Sequence, residues 1–399
     1  MLEVNEFLVL DYVREHDPTS QTDVARALGL SAASVSRIVG RLRADGLVAD
    51  AGTQRSSGGR PRALVSFRRD AGAVVAVDLG GTRCHVALAD LAGTILMEEV
   101  RPTHSAGDAF STLVAGIDSM RREAEVRGMP VVALAVGVPG ILDPESGLAR
   151  DAPYVGWDDF PVVERLARAV EIPFVVDNDV NLAALAHAWR GDGRRIDNFV
   201  TLSVGTGTGA AIVSGGRLLQ GHHNGAGEVG YLVVRRELLG QPITAGLGAF
   251  ESRASGPGIA ARARELVISG HSSSLMPDQI TPEAVLSAAA EGDQLARSVV
   301  DELIDDLAMA IVALASTVDP ELIILDGGLG RSLGPYLDLL LARVAPSVPS
   351  PPRIVISSLD HEATVIGAVA AALELARRRA APASVLGAFS LSGVAGHAG

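Results

Sequence analysis

Two periodicities divide the chain. Up to about residue 70 the apolar positions recur at helical spacing, and beyond it they fall in short runs alternating with helical stretches. Phe7, Leu10 and Val13 make one apolar face, which Asp17-Pro18 ends. Ser20-Gln21-Thr22-Asp23 opens a second, short helix with Val24 and Leu28 inward. After a Gly29-Leu30 turn, Ser31 caps a third helix in which Val35, Ile38, Val39 and Leu42 follow at i, i+3, i+4 and i+7. Gly46–Val48 and Ala63–Phe67 predict two wing strands around the loop Thr53–Arg62. Helix, glycine turn, helix and wing in this order predict a winged helix-turn-helix over residues 1–70.

From Ala71 onward strands are predicted at Val74–Val77, His85–Ala89, Val131–Val136, Phe174–Val176, Phe199–Val204, Ala210–Val213 and Leu322–Leu325. Helices are predicted near 108–127, 162–169, 178–189, 293–316 and 363–378. The fold class is therefore α/β. A first lobe is expected over 71–185, completed by a helix at about 363–380. A second lobe follows over 186–362, and an Ala/Gly/Ser-rich tail over 381–399 is expected to be loosely held.

Composition sharpens the picture at one end of the chain. The net charge is −13, yet residues 31–69 hold eight arginines against Asp45 and Asp50, a local balance of +6. That basic patch coincides with the outward face of the third helix, where Ala33, Ser34, Ser36, Arg37 and Arg41 would meet base edges, and with the wing residues Arg55, Arg60 and Arg62, suited to phosphates. The bland alternative is a small helical unit with a solvated basic face. Cys84 is the sole cysteine, which excludes an intrachain disulfide and a cysteine zinc cluster. No basic-then-apolar leader is evident at the start, and the apolar runs are too short for a membrane span, so a cytoplasmic protein without a membrane partner is expected.

Candidate chemistry lies in three glycine turns. Val74–Thr82 ends a buried strand in Asp78-Leu79-Gly80-Gly81-Thr82, where residues without a Cβ let the main chain approach a phosphate. Taken alone, this stretch reads equally well as an ordinary hairpin. Gly205-Thr206-Gly207-Thr208-Gly209 repeats the device in the second lobe, Asp326-Gly327-Gly328 supplies a third turn, and Asn178-Asp179 opens a helix between them. With these motifs the chain resembles the ROK family (repressors, open reading frames and kinases) of the actin/hexokinase-like superfamily over residues 5–380. The winged head matches the family's repressor branch. The resemblance implies nucleotide binding at Asp78, Gly80, Gly81, Thr82, Gly205, Thr206, Gly207, Gly327 and Gly328. It implies that Asn178 orients a sugar hydroxyl and that Asp179 acts as general base in the kinases. Glu228, in Gly227-Glu228-Val229-Gly230, and Glu251 resemble the family's sugar-binding glutamates.

Two departures stand out. Tyr231 occupies the place of a histidine that in the family helps hold both sugar and a structural zinc. The stretch Gln241–Glu251, where the family's zinc cysteines belong, contains no cysteine. Zinc is therefore expected to be absent, ATP is a possible ligand, and DNA binding is expected to need no cofactor. Tyr231 would either offer its hydroxyl to a sugar or pack in the core. His222, His223 and His361 fit no metal spacing.

These readings lead to a carbohydrate-responsive transcriptional regulator, a repressor by expectation. It would bind a double-stranded operator and a small sugar or sugar phosphate, as a homodimer or homotetramer. The alternatives are an ATP-dependent hexose kinase carrying a DNA-binding head, and a regulator whose ligand is ATP alone.

Overall fold

The computed structural model describes residues 4–54, 62–240, 247–360 and 363–382. Arg55, Arg60, His361, part of the cysteine-free stretch and almost all of the expected tail lie outside the described residues.

The head consists of α1 (Val4–Glu15), β1 (Thr19–Ser20), α2 (Gln21–Leu28), α3 (Ala32–Ala44), β2 (Val48–Gln54) and β3 (Arg62–Phe67), with the strands in the order β1-β3-β2. Its caps form as the sequence implies. Ser20 Oγ accepts from Asp23 N and donates to the Asp23 carboxylate, while Ser31 Oγ accepts from Ser34 N. Val35, Ile38, Val39 and Leu42 of α3 are buried against Val9, Val13, Val24 and the strand residues Val48, Val65 and Phe67.

The first lobe is built on β4 (Ala73–Leu79), β5 (Arg83–Asp90) and β6 (Ile95–Pro102), followed by α4 (Ala109–Val126) and β7 (Val131–Val138). A small hairpin of β8 (Ile141–Leu142) and β9 (Ala149–Arg150) and the helix α5 (Val162–Ala169) then lead to β10 (Phe174–Asn178). The sheet order is β10-β7-β4-β5-β6, with β4 parallel to β7 and antiparallel to β5. Being covered on both faces, β4 is apolar without a break from Ala73 to Val77. Val75, Val77 and Leu79 face α4, and Val74 and Ala76 face a helix near the end of the chain, α12 below.

A single helix, α6 (Asp179–Arg190), joins the lobes. The second lobe comprises β11 (Phe199–Val204), β12 (Thr208–Ser214), β13 (Arg217–Leu218), α7 (Gly256–Ile268), α8 (Pro282–Glu291), α9 (Gln294–Val318), β14 (Leu322–Asp326), α10 (Gly327–Ser332), α11 (Leu337–Val344) and β15 (Arg353–Ile356). Its sheet runs β13-β12-β11-β14-β15. The chain then returns to the first lobe as α12 (Ala363–Ala380).

The boundary expected at residue 185 falls inside α6, and the reason is packing. Leu182 of α6 belongs to the core under the first sheet, whereas Ala184 packs with Phe199, Ala211 and Ile324 under the second. One helix thus serves both lobes, and α12 crosses it so closely that a Cβ on Gly367 would overlap the Leu182 carbonyl. β6, β15, α7, α8 and α11 were not predicted. The partly exposed edge strand β6, Ile-Leu-Met-Glu-Glu-Val-Arg-Pro, carries adjacent acids that blur its alternation.

Candidate ligand cleft and nucleic-acid face

The three glycine turns converge on one cleft of about 590 Å³ between the lobes. The β4–β5 connection is indeed a hairpin, and it is also a cleft wall. Gly80 N donates to Arg83 O at 2.9 Å, Thr103 Oγ1 donates to Gly80 O at 2.6 Å, and Gly81, Thr82 and Asp78 face the opening. Across from it stand Gly205, Thr206 and Gly207 between β11 and β12, with Gly327 and Gly328 at the start of α10. Gly327 has φ +79°, and a Cβ there would overlap the Val204 backbone, so glycine is required.

Asn178 and Asp179 form the floor. Asn178 caps α6, its Oδ1 accepting from Val180 N at 2.8 Å and Asn181 N at 3.1 Å while its Nδ2 donates to Gly140 O at 3.0 Å. The side chain implied to orient a sugar is largely engaged in building the floor. Asp179 departs from expectation too. A carboxylate at a helix start should be held ionised, but burial outweighs the Val180 N–H it accepts from and pushes Asp179 up to about 6.

On the second-lobe side, Glu251 accepts from Thr208 N at 3.0 Å. Burial and then the neighbouring Asp179 and Glu251 raise Glu228 to about 7. Tyr231 lies in the wall, half-buried, and burial first, then the charges of Asp151, Glu228 and Glu251, raise its phenol above the ordinary range. Burial and the charge of Asp179 likewise bring Asp78 to about 7. Asp326 is the exception. Its burial is outweighed by bonding with His187 and by Arg331, whose Nη1 donates at 2.6 Å, so it is held below the ordinary range. The cleft therefore gathers polyol-type hydrogen-bond partners, several of them neutral or half-neutral near pH 7, beside backbone cradles.

One cleft residue escaped the sequence reading. Tyr154 packs against Gly81, where a Cβ would lie 2.6 Å from its own, and reaches toward Gly207. Its hydroxyl is buried without a partner among the described residues, and burial and then the charge of Glu251 push it up to about 12, so it stays protonated. A tyrosine in the loop 153–157 gave no periodic or motif signal.

The zinc donor set does not fit this site. Cys84 is buried on β5 of the other lobe, residues 241–246 contain neither thiol nor imidazole, and no group of three or more His, Cys, Asp and Glu among the described residues could hold a metal. His222 and His223 pack on each other with ring centroids 4.2 Å apart.

On the head, Ala33, Ser36 and Arg37 are exposed on α3 as predicted. Other members of the set are partly committed elsewhere. Ser34 accepts from Ser31 Oγ at 2.9 Å, Arg41 pairs with Glu6 at 2.7 Å, and Arg62 pairs with Asp23 at 3.4 Å. The helix start and the nearby acids account for these ties, which leave Arg37 the most direct candidate for a base edge.

Comparison with known proteins agrees with this two-part layout. The ROK family model matches residues 74–375, and the MarR family model matches residues 2–56. A xylose repressor of Caldicellulosiruptor bescii is 26% identical over 386 residues, 92% of this chain and 95% of that protein. A glucokinase of Halalkalibacterium halodurans is 34% identical over 306 residues, 73% of this chain and 92% of that one. The crystal structure of a ROK family transcriptional regulator, a homologue of the E. coli MLC protein, superposes with a TM-score of 0.76 at 25% identity, covering 94% of this chain and 96% of its own. No helix among the described residues is long and apolar enough to cross a membrane.

Proposed function

The chain belongs to the ROK family, and from that premise we propose that it is a carbohydrate-responsive transcriptional repressor whose interlobe cleft holds the effector. The observation that carries this reading is a continuous physical link from cleft to head. Thr364 Oγ1, at the start of α12, donates to Asp179 O at 3.3 Å. At the other end of α12, Arg377 pairs with Asp11 of α1 at 2.5 Å, and Glu6 of α1 pairs with Arg41 of α3. A ligand that shifts Asp179 and α6 thereby bears on the DNA-reading helix, and effector and operator affinities are reciprocally linked. The similarity to a repressor along almost the whole chain supports the same reading.

In this reading Asp179, Glu228, Tyr231 and Glu251 bond sugar hydroxyls, while Asn178 shapes the floor and Tyr154 packs between the turns. Ser36 and Arg37 read the major groove of a two-fold operator, which a dimer of heads matches. No zinc is needed, and equilibrium dialysis returning stoichiometric tight zinc would overturn that part. The experiment for the whole is a mobility shift with DNA from the gene's own promoter region at moderate salt. Binding released by one sugar of a panel is the expected result, and absence of any specific shift sinks the proposal.

A second reading, an ATP-dependent sugar kinase with a DNA-binding head, is favoured by the survival of Asp78, Asp179 and all three glycine turns around one cleft. ATP would supply the phosphoryl group, and Asp179, near 6, has the proton affinity of a general base. Sugar-dependent ADP release that vanishes in Asp179→Ala would establish it, and silence across a hexose panel would dismiss it.

A further inference from the structure

Two described limbs of one arm, one leaving Tyr231 and one arriving at Glu251, meet at the cleft, since Phe250 N and Glu251 N both donate to Gly230 O at 3.0 Å. This is the stretch that contains no cysteine to hold a metal. A different set of bonds reaches it from behind. Arg235, just beyond Tyr231, sends Nε to Asp306 Oδ1 at 2.9 Å, and Arg253, just beyond Glu251, sends Nε to Asp306 Oδ2 at 2.7 Å. One carboxylate, 1% exposed, thus holds the outgoing and the returning limb together.

We propose that Asp306 is the positioning residue of this arm, clamping it to α9 by ion pairs so that Tyr231 and Glu251 stand at the cleft without a metal; the ligand side of the proposal rests on the effector reading given above.

The anchor is well placed for this work. α9 is a long helix with Leu303, Ile304, Leu307 and Ala308 buried around Asp306, so the carboxylate is fixed to the lobe's core. One turn earlier Glu302 extends the clamp, accepting from Arg253 Nη2 at 3.0 Å and from Arg262 Nη2 at 3.1 Å, and Arg262 Nη1 goes on to Glu265 at 2.9 Å. The guanidinium of Arg253 bridges the two acids, a geometry that its planar fork favours and an ammonium cannot reproduce. Burial would push Glu302 up, yet its bonds from Arg262 and Arg253 hold it below the ordinary range. A buried carboxylate that loses its partners is left with an unpaired charge, so alternative positions of the arm are penalised. The clamp therefore fixes the two limbs against α9 at Arg235 and Arg253, as a bound ion would brace them.

The test is hydrogen exchange by mass spectrometry on the full chain, comparing wild type with Asp306→Asn and, in case that variant does not fold, Arg253→Gln. Either should speed exchange at the Phe250 and Glu251 amides by roughly tenfold or more, with β11 and β14 unchanged. Wild-type protection at those two amides in a folded variant overturns the proposal, as does arm loosening in the wild type on treatment with a chelator. Calorimetry with D-glucose, D-xylose and N-acetyl-D-glucosamine supplies the second readout, and affinity for the bound sugar should fall about tenfold in the same variants. A loosened arm with unchanged sugar affinity refutes the positioning role. The control is Glu251→Gln. Loss of binding there upholds the cleft as the effector site, whereas wild-type affinity there, or binding of no sugar by the wild type, counts against the effector reading and leaves the clamp to stand or fall on exchange alone.

Discussion

Replacing Asp78 by Asn should stabilise the ligand-free protein above neutral pH and do almost nothing near pH 4. Asp78 sits at the end of β4, half-buried, where desolvation and then Asp179 raise its carboxyl from 3.8 to about 7, against a smaller opposing pull from Arg83. Between those two values the folded state binds a proton that the unfolded chain has released. Stability contributed at this position therefore declines as pH climbs from about 4 and is fully forfeited above about 7. The whole interval corresponds to ~4 kcal/mol as an upper bound. The carboxyl opens onto a solvent-filled cleft, and its neighbour Asp179 titrates in the same range, so ~1–2 kcal/mol is the fair expectation.

Asparagine mimics the protonated acid at every pH. For a lobe of this size the gain translates to roughly 3–6 °C in Tm at pH 8, shrinking to nothing at pH 4. Scanning calorimetry of wild type and Asp78→Asn at pH 4, 6 and 8 would show two curves that meet at the acid end. Because Glu228, Asp177 and Asp179 are shifted in the same direction, both proteins should lose stability toward pH 8, and only the difference reports on Asp78. A Tm difference independent of pH would refute the reasoning, and a variant destabilised at pH 8 would mean that Arg83 pairs with the carboxylate strongly enough to keep it ionised.

Three further outcomes follow from the same structure. Arg37→Ala should weaken operator binding by about 1–3 kcal/mol with little change on unrelated DNA, measured by fluorescence anisotropy at fixed salt; an equal loss on both DNAs would assign Arg37 to phosphate instead. Gly367→Ala should cost about 1–3 kcal/mol in thermal stability, because its Cβ overlaps the Leu182 carbonyl where α12 crosses α6, and an unchanged Tm would show the crossing to be slack. Arg377→Ala should leave sugar affinity intact while reducing the release of DNA by that sugar, and full release would place the coupling elsewhere than at Asp11.

Much of the fold was legible because its signals are local. The core residues of α3 and its Ser31 cap, the apolar run of β4 and the glycine turns each follow from spacing and side-chain type within a few residues. The residues that escaped are those whose roles depend on distant partners. Tyr154 matters because two glycine turns from different lobes close around it, and Asp306 because two arginines reach it from both limbs of one arm. Asp179 shows the same limit in another form. Its position at a helix start was plain, but the direction of its proton affinity depended on burial beneath a second lobe that no local pattern records.

The retained glycine turns do not by themselves decide between sensing and phosphoryl transfer, since backbone cradles serve a bound phosphate in either case. What distinguishes this cleft is what stands between the cradles. Tyr154 lies against Gly81 of one turn and near Gly207 of the other, and its hydroxyl is buried without a partner among the described residues. An in-line transfer needs the acceptor oxygen and the phosphate to meet without an intervening group. In the proposed regulator, a phenol ring packed between the two turns would couple one side of the cleft to the other. The floor beneath it is the first turn of α6, the helix shared by both sheets, so occupancy of the cleft and the relative setting of the lobes are bound to the same few residues. That economy suits the proposed repressor, in which effector binding would be relayed along α12 to the head.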